Sequence, residues 1–310
     1  MNRNRHRALV AGWFSFEGRK ATFGDVQAME VVRRWLDELD CPYDVAGHPQ
    51  NRVDGVDIEL VDPNDYSVFI FVCGPWGGGR SLLHRFEHCF KIGVDLSIRN
   101  SAHGFDLLFP REFASTHQPD LAFAAGSHEV DVVGVALVHP QPAFGERQRH
   151  AEVQAAVDRY FEVSGAVRVP LDTLLHENTA GIDHVAQLEA MIRRVDVVIT
   201  SRLHGLVYSL KNGIPAVAID PIAGGAKVTS QASALNWPIL LEGDGIDSGK
   251  IALAIQHAKT MDAKRLIEES LQTAKREIEQ IKKVFSIKSQ GGWIPIALTP
   301  TFRRSDFLSA

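Results

Sequence analysis

Residues 195–227 constrain this chain more than any other stretch. They read Val195-Asp-Val-Val-Ile-Thr-Ser-Arg-Leu-His-Gly205, then Leu-Val-Tyr-Ser-Leu-Lys-Asn-Gly213, then Ile-Pro-Ala-Val-Ala-Ile-Asp220 and Pro-Ile-Ala-Gly-Gly-Ala-Lys227. Val195–Thr200 and Ile214–Asp220 are β-branched runs of strand length. Between them apolar residues recur at Leu203, Leu206/Val207 and Leu210, the helical spacing, and Gly213 fits the helix stop. Two strands joined by one helix make a βαβ unit, so the strands are expected to lie parallel with their carboxyl ends on one edge.

Both helices start at that edge. The first opens with Ser201, Arg202 and His204, and the second follows Gly224-Gly225 and opens near Lys227. A helix N-terminus already carries partial positive charge and free backbone N–H groups. Further cations there are unfavourable unless an anion sits among them, so the pattern predicts a phosphate or carboxylate pocket at the edge of a parallel sheet. The alternative is that Arg202 pairs with a structural carboxylate and His204 is an ordinary helix-start residue. The pocket reading requires strand tips free of the protein's own carboxylates.

The run Ser201-Arg-Leu-His-Gly205, with Ile-Pro-Ala-Val-Ala-Ile-Asp220 and Gly224-Gly-Ala-Lys227, resembles the signature of the polysaccharide pyruvyl transferase family. The resemblance is strongest over residues 183–235 and extends more weakly to most of the chain. It implies an α/β fold of two Rossmann-like lobes with parallel sheets, GT-B-like, with a cleft between the lobes. It also implies transfer of the enolpyruvyl group of phosphoenolpyruvate (PEP) to a sugar, giving a pyruvate ketal in polysaccharide or cell-envelope glycan biosynthesis.

The composition agrees with two lobes of ordinary size: 310 residues, of which 45% are hydrophobic. The balance of 33 basic and 38 acidic residues gives a formal charge of −5, which argues against nucleic acid as a partner. No stretch approaches the ~18 apolar residues of a membrane span. The basic start runs straight into Ala8-Leu-Val-Ala-Gly12 with no signal-peptide apolar region. Cys41, Cys73 and Cys89 have no metal-like spacing, and Cys73 ends an apolar run as an expected buried thiol. A cytoplasmic protein without a metal or cofactor is the expectation, PEP being a co-substrate.

The strand and helix pattern divides the chain into an N-terminal lobe over 1–128 (the acceptor side), a C-terminal lobe over 129–260 that carries the PEP signature, and a closing helix with tail over 261–310. In the first lobe, Ala8–Gly12 and Tyr66–Cys73 read as strands and Asp25–Leu39 as a helix with Asp25 at its N-cap. Shorter strands are expected at Gly93–Ile98 and Phe105–Phe109. In the second, Asp131–Val138 and Ala166–Val169 read as strands, with a helix from about Glu146 to Phe161. Ile246–Lys259 and Asp262–Val284 read as helices, the latter striped with Leu266/Ile267, Leu271, Ala274, Ile278 and Ile281.

Arg202 is the first candidate for gripping PEP, because its planar fork can hold phosphate or carboxylate through two parallel hydrogen bonds. His204 lies beside it, and a residue type that titrates near neutrality suits a general acid or phosphate donor. Both match positions through which the family binds PEP, with Leu203 offering a backbone N–H and Ser201 flanking them. Lys227 after Gly224 and Gly225 can reach the same anion, although a plain turn with a solvated lysine explains these residues too. The family also tends to show Arg, an acidic residue, Ser and then Asp, which Arg111, Glu112, Ser115 and Asp120 match. Arg111 is thus a second cation or a surface residue paired with Glu112. Gly24-Asp25 matches a family loop, and Asp25 is a candidate base for the sugar hydroxyl as well as a cap. Trp76, beside Gly77-Gly-Gly79 and Arg80, either stacks on a sugar or packs between the lobes. His139, at a strand end, ranks below His204. The implied partners are PEP and a sugar or glycan acceptor, free or lipid-linked. The competing readings are a GT-B glycosyltransferase using a nucleotide sugar and a non-catalytic anion-binding member of the family.

Overall fold

The computed structural model describes residues 7–289 apart from 78, 102 and 177. The chain divides into two compact units, Met1–His128 and Glu129–Ala310.

The first unit is built on strands β1 (Ala8–Gly12), β2 (Tyr43–Val45), β3 (Val68–Trp76), β4 (Phe90–Ile98), β5 (Leu107–Phe113) and β6 (Thr116–His117). Their order is β2-β1-β3-β4-β5-β6, parallel except for β6, which runs antiparallel to β5. The strands are apolar on both faces because both are covered. Ala8, Val10, Ile70 and Val72 pack under helix α1 (Phe23–Glu38), while Leu9, Ala11, Phe69 and Phe71 pack on the other face with Leu83 of α2 (Arg80–Arg85). The cap of α1 differs from the sequence expectation. Thr22 is the N-cap, and Asp25 sits three residues in, returning hydrogen bonds from the Thr22 amide and hydroxyl at 2.7 and 2.8 Å. The reciprocal Thr/Asp arrangement satisfies two end groups at once, which an N-cap at Asp25 would not.

The second unit carries β7 (Val132–Ala136), β8 (Val167–Pro170), β9 (Val197–Thr200), β10 (Ala216–Asp220) and β11 (Leu240–Glu242), all parallel, in the order β11-β10-β9-β7-β8. Its helices are α3 (His150–Ser164), α4 (Val185–Ile192), α5 (Leu203–Lys211), α6 (Lys227–Ala234), α7 (Ser248–Ala258) and α8 (Met261–Ser289). Helix α3 starts later than its apolar pattern suggests, because Gly145 adopts φ 51° and ψ −131° and breaks the preceding turn. Only the first part of α8 is anchored: Ala263 and Ile267 are buried, whereas Ile278 and Ile281 are 63% and 66% exposed. The tail from residue 290 lies outside the described residues. Among those described, no helix is long and apolar enough to cross a membrane.

Each unit is therefore a Rossmann-like α/β lobe, and the two sheets share a topology. In both, the unit's first strand has the second on one side and the third on the other. The chain reverses its direction of travel between β1 and β3, and again between β7 and β9. A crevice opens at the carboxyl ends of such a strand pair, and open α/β sheets bind their ligands there.

Leu206 anchors α5 to the core of the second unit and is fully buried. Leu206→Ala is expected to lower unfolding stability by about 2–5 kcal/mol, read as a shifted urea midpoint at unchanged slope.

Candidate active site

The turn from β9 into α5 is fixed by Thr200. Its hydroxyl accepts the Arg202 amide at 3.0 Å and lies 3.0 and 3.1 Å from the carbonyls of Ala136 and Arg202. Ser201, also buried, binds the neighbouring strand's exit: its amide donates to Ala136 O at 3.1 Å, and its Oγ accepts the Val138 amide at 2.8 Å. Helix α5 rests against Thr200 through Gly205, where a Cβ would fall 2.1 Å from Thr200 Oγ1 and 3.0 Å from its Cβ. Arg202 occupies the N-cap position and no side chain caps the helix, so its first-turn amides are left for solvent or a ligand.

Arg202 is not a free fork. Its Nε donates to Leu137 O at 3.0 Å, and its Nη2 lies 3.2 Å from Asp172 Oδ1. Nη2 is out of line for a hydrogen bond, so this contact is ionic only. Asp172 is 3% exposed and is itself held by the Leu174 amide at 2.9 Å and the Thr179 hydroxyl at 3.2 Å. Burial pushes its carboxyl up, but the Leu174 amide, the Arg202 charge and Thr179 outweigh this and hold it below the usual carboxylate range. Nη1 of Arg202 makes no hydrogen bond or ion pair among the described residues. The structural-carboxylate reading of Arg202 is thus correct for one edge of the guanidinium.

The second strand tip departs further from expectation. Asp220, 1% exposed, accepts the amides of Ala226 and Thr229 at 2.7 and 2.9 Å, the Thr229 hydroxyl at 2.9 Å and the Ile222 amide at 3.1 Å. The start of α6 is therefore partly capped by the protein's own carboxylate: the expectation of bare amides holds at α5, while at α6 it fails for Ala226 and Thr229 and holds for Lys227 and Val228, whose amides have no hydrogen-bond partner among the described residues. Gly224 and Gly225 both sit at φ +79°, the left-handed region where glycine is favoured. Arg147 ties this turn down, donating to the Ala223 and Gly225 carbonyls at 3.0 and 3.1 Å. Lys227, the first residue of α6, is exposed and makes no ion pair among the described residues.

Between these turns, at the β7/β9 crevice, lies a pocket of about 140 Å³ walled by Ser201, Arg202, Leu203, His204, Asp220 and Lys227, with Val138 and Gln141 from the β7 exit. The structure thus gathers most of the sequence candidates of this lobe. Gly224 and Gly225 shape the turn without lining the pocket. His139 is exposed and does not line it either, because β7 ends at Ala136 and Val138 takes the wall position. His204 is exposed and borders a neighbouring pocket of about 190 Å³ together with Asp172 and Tyr208. Asp172, Thr200 and Arg147 escaped the sequence reading. Asp172 is far from the signature in sequence. Asp220 could have been read as a cap, since an aspartate ending a strand before a double-glycine turn has amides within reach.

Arg111 and Asp25 belong to the first unit, in a polar knot with Cys73, Asp95, Ser97 and Asp120. Arg111 pairs closely with Asp120 through Nη1, not with Glu112, and donates to Ser97 Oγ at 2.9 Å through Nη2. Its Nη1 also lies 3.9 Å from both Asp95 Oδ2 and Cys73 Sγ. Cys73, Asp95 and Asp120 bring ligand-type atoms within 4.8 Å of one another, and Arg111 is the cation set against all three. Burial first, then hydrogen bonding to Asp25, pushes the Cys73 thiol far up. Burial, reinforced by Asp120, also raises Asp95 against the opposing pull of the Leu121 amide and Arg111.

Residues 104–221 match the family model of the polysaccharide pyruvyl transferases. This bears out the resemblance over a stretch that contains Arg111, Asp172, Arg202 and His204 and ends one residue past Asp220. No curated protein matches the chain. Similar solved structures include a spinosyn rhamnosyltransferase complexed with spinosyn aglycone, at 13% identity over 81% of this chain and 78% of that one, TM-score 0.33. Others are the glycotransferase of kitacinnamycin (10%, 91% and 99%, TM-score 0.34) and a Methanocaldococcus jannaschii UDP-GlcNAc 2-epimerase with UDP-GlcNAc and UDP (8%, 82% and 92%, TM-score 0.31).

Two substitutions test the scaffold of the pocket. Gly205→Ala gains about 1 kcal/mol of helix propensity but meets Thr200, and a net loss of about 1–2 kcal/mol is expected in urea unfolding. Asp220→Asn removes the charge and one acceptor oxygen from the α6 cap. It is expected to cost about 1.5–3 kcal/mol, with faster amide exchange at Ala226 and Thr229.

Proposed function

We propose that the protein is a pyruvyltransferase that moves the enolpyruvyl group of PEP onto two hydroxyls of a sugar, forming a pyruvate ketal of a glycan. One observation carries this reading. Within the stretch that matches the family, Arg202 and His204 open a helix whose first turn no side chain caps, and both wall a small pocket at the crevice of a parallel sheet.

The reaction needs three things of the protein: a grip on phosphate and carboxylate, a proton for the methylene carbon, and support for negative charge on the departing phosphate. C3 of PEP takes a proton as its double bond is consumed. C2 then forms one bond to each of two sugar oxygens, and the C2–O bond to phosphate breaks. The two hydroxyl protons balance the proton taken up at C3 and the one carried off on phosphate. Arg202 binds the anion through the edge that Leu137 and Asp172 leave free, and those two contacts fix its plane beforehand. Preorganised donors of this kind need no rearrangement as charge builds up. The first-turn amides of α5 add to the same field. Lys227 supplies a second positive charge on a flexible stem, and His204 serves as the acid.

Arg202→Ala is expected to weaken PEP binding about ten- to a hundredfold by isothermal titration, the scale of one lost charge-assisted contact. His204→Ala is expected to lower kcat for phosphate release in the presence of glycoside acceptors while leaving PEP affinity within about threefold. Thermal protection by nucleotide sugars with none by PEP would overturn the proposal, as would wild-type activity in both variants.

A further inference from the structure

The β1/β3 crevice of the first unit holds a larger cavity than the β7/β9 crevice does, about 560 Å³, and its walls have a different chemistry. Trp13 and Phe16 come from the segment after β1. Trp76 ends β3, Arg99 follows β4, and Arg19 and Ser81 complete the rim. The cavity therefore sits where the topology of this lobe places a ligand, just as the anion pocket does in the other.

The aromatic walls are built in. Gly74 sits at φ +84°, and a Cβ there would lie 2.8 Å from Trp13 Cδ1, so the indole of Trp13 is seated against bare backbone. Trp13 Nε1 is bonded to Pro75 O at 3.2 Å, which holds the ring in place. Trp76 is 4% exposed and braced by Phe71 and Phe105 at centroid distances of 4.9 and 4.8 Å. Its Nε1 is buried and has no hydrogen-bond partner, a rare condition for an indole. Two arginines complete the picture. The Arg19 guanidinium lies 4.9 Å from the Trp13 ring centroid, stacked on the indole, and neither Arg19 nor Arg99 forms an ion pair among the described residues.

Flat aromatic walls suit the apolar face of a pyranose, and unpaired guanidiniums suit a phosphate. We propose that this cavity is a binding site for a sugar carrying a phosphate substituent, a glycosyl phosphate. Its identification with the acceptor rests on the pyruvyl-transfer reading above. The sugar ring takes the place of the exposed Arg19 side chain over the Trp13 indole, beside Trp76, and the phosphate lies between the displaced Arg19 and Arg99.

The test is titration of the full chain with galactose 1-phosphate, free galactose, inorganic phosphate and UDP, followed by intrinsic tryptophan fluorescence and calorimetry, with PEP titrated in parallel. Expected are binding of galactose 1-phosphate at least tenfold tighter than galactose or phosphate, and quenching of tryptophan emission. Arg19→Ala and Arg99→Ala should each weaken that binding at least fivefold, and Trp13→Ala at least tenfold, with PEP affinity unchanged in all three. Trp13→Phe should retain most of the affinity, which separates loss of stacking from loss of fold. The proposal is overturned if galactose 1-phosphate does not bind while PEP does, if inorganic phosphate binds as well as the sugar phosphate, or if UDP is preferred with the same dependence on Trp13. Binding of the sugar phosphate without any binding of PEP would sink the pyruvyl-transfer reading and leave this site standing.

Discussion

The packing of Gly205 on Thr200 is the contact on which the candidate site depends. A parallel strand must hand over to its helix at the sheet edge within two residues, and the helix must then fold back onto the sheet. Thr200 satisfies the turn by taking the Arg202 amide and reaching the Ala136 and Arg202 carbonyls. Gly205 lets α5 settle directly on that side chain. Any larger residue would lift the helix start, and Arg202 and His204 would move with it. The glycine of the Arg-Leu-His-Gly run therefore serves packing, and the residues before it wall the pocket.

Two buried carboxylates divide the labour at this edge. Asp220 takes the Ala226 and Thr229 amides at the start of α6, so that element contributes shape, the Lys227 charge and the amides of Lys227 and Val228. Asp172 touches only one edge of Arg202 and draws its own stability from Leu174 and Thr179. A guanidinium fixed on two sides has little rotamer freedom left to lose when a ligand arrives, which favours binding without requiring more contacts. The cost is a weaker net positive field, since Asp172 offsets part of the Arg202 charge. Lys227, exposed and outside any ion pair among the described residues, adds a positive charge at the pocket wall.

The sequence disclosed these features unequally, for physical reasons. The βαβ unit was legible because its strands are covered on both faces and its helix repeats apolar residues at Leu203, Leu206 and Leu210. The gathering of Ser201, Arg202, Leu203, His204 and Lys227 followed from the rule that parallel strands end on one edge. What stayed hidden were partners far away in the chain. Asp172 lies 30 residues before Arg202, and nothing in the spacing of Leu171-Asp172 sets it apart from an ordinary strand exit. The same holds for Ser97, which strand register brings to Arg111. Asp25 was misplaced for a more local reason: its hydrogen bonds return to Thr22, and a capping box has two candidate caps that composition alone does not rank.

The polar knot around Arg111 follows from backbone strain. Cys73 and Asp95 both sit in the left-handed region, at φ 61° and 59°, and they interrupt the β3–β4 ladder between the Val72–Val94 and Gly74–Leu96 pairs. Non-glycine residues held there cost on the order of 1–3 kcal/mol each. Contacts of comparable size offset the strain: the ion pair to Asp120, the Ser97 hydrogen bond, and the Leu121 amide on Asp95, with charged hydrogen bonds worth about 1.5–3 kcal/mol each. Arg111 is therefore part of what makes this interruption of the ladder tenable, since without it two carboxylates and a buried thiol would face one another with no cation among them. The same strand runs on through Gly74 to Trp76, which lines the aromatic cavity. A residue that reads in sequence as a second anion grip is thus held by the protein's own carboxylates, Asp95 and Asp120.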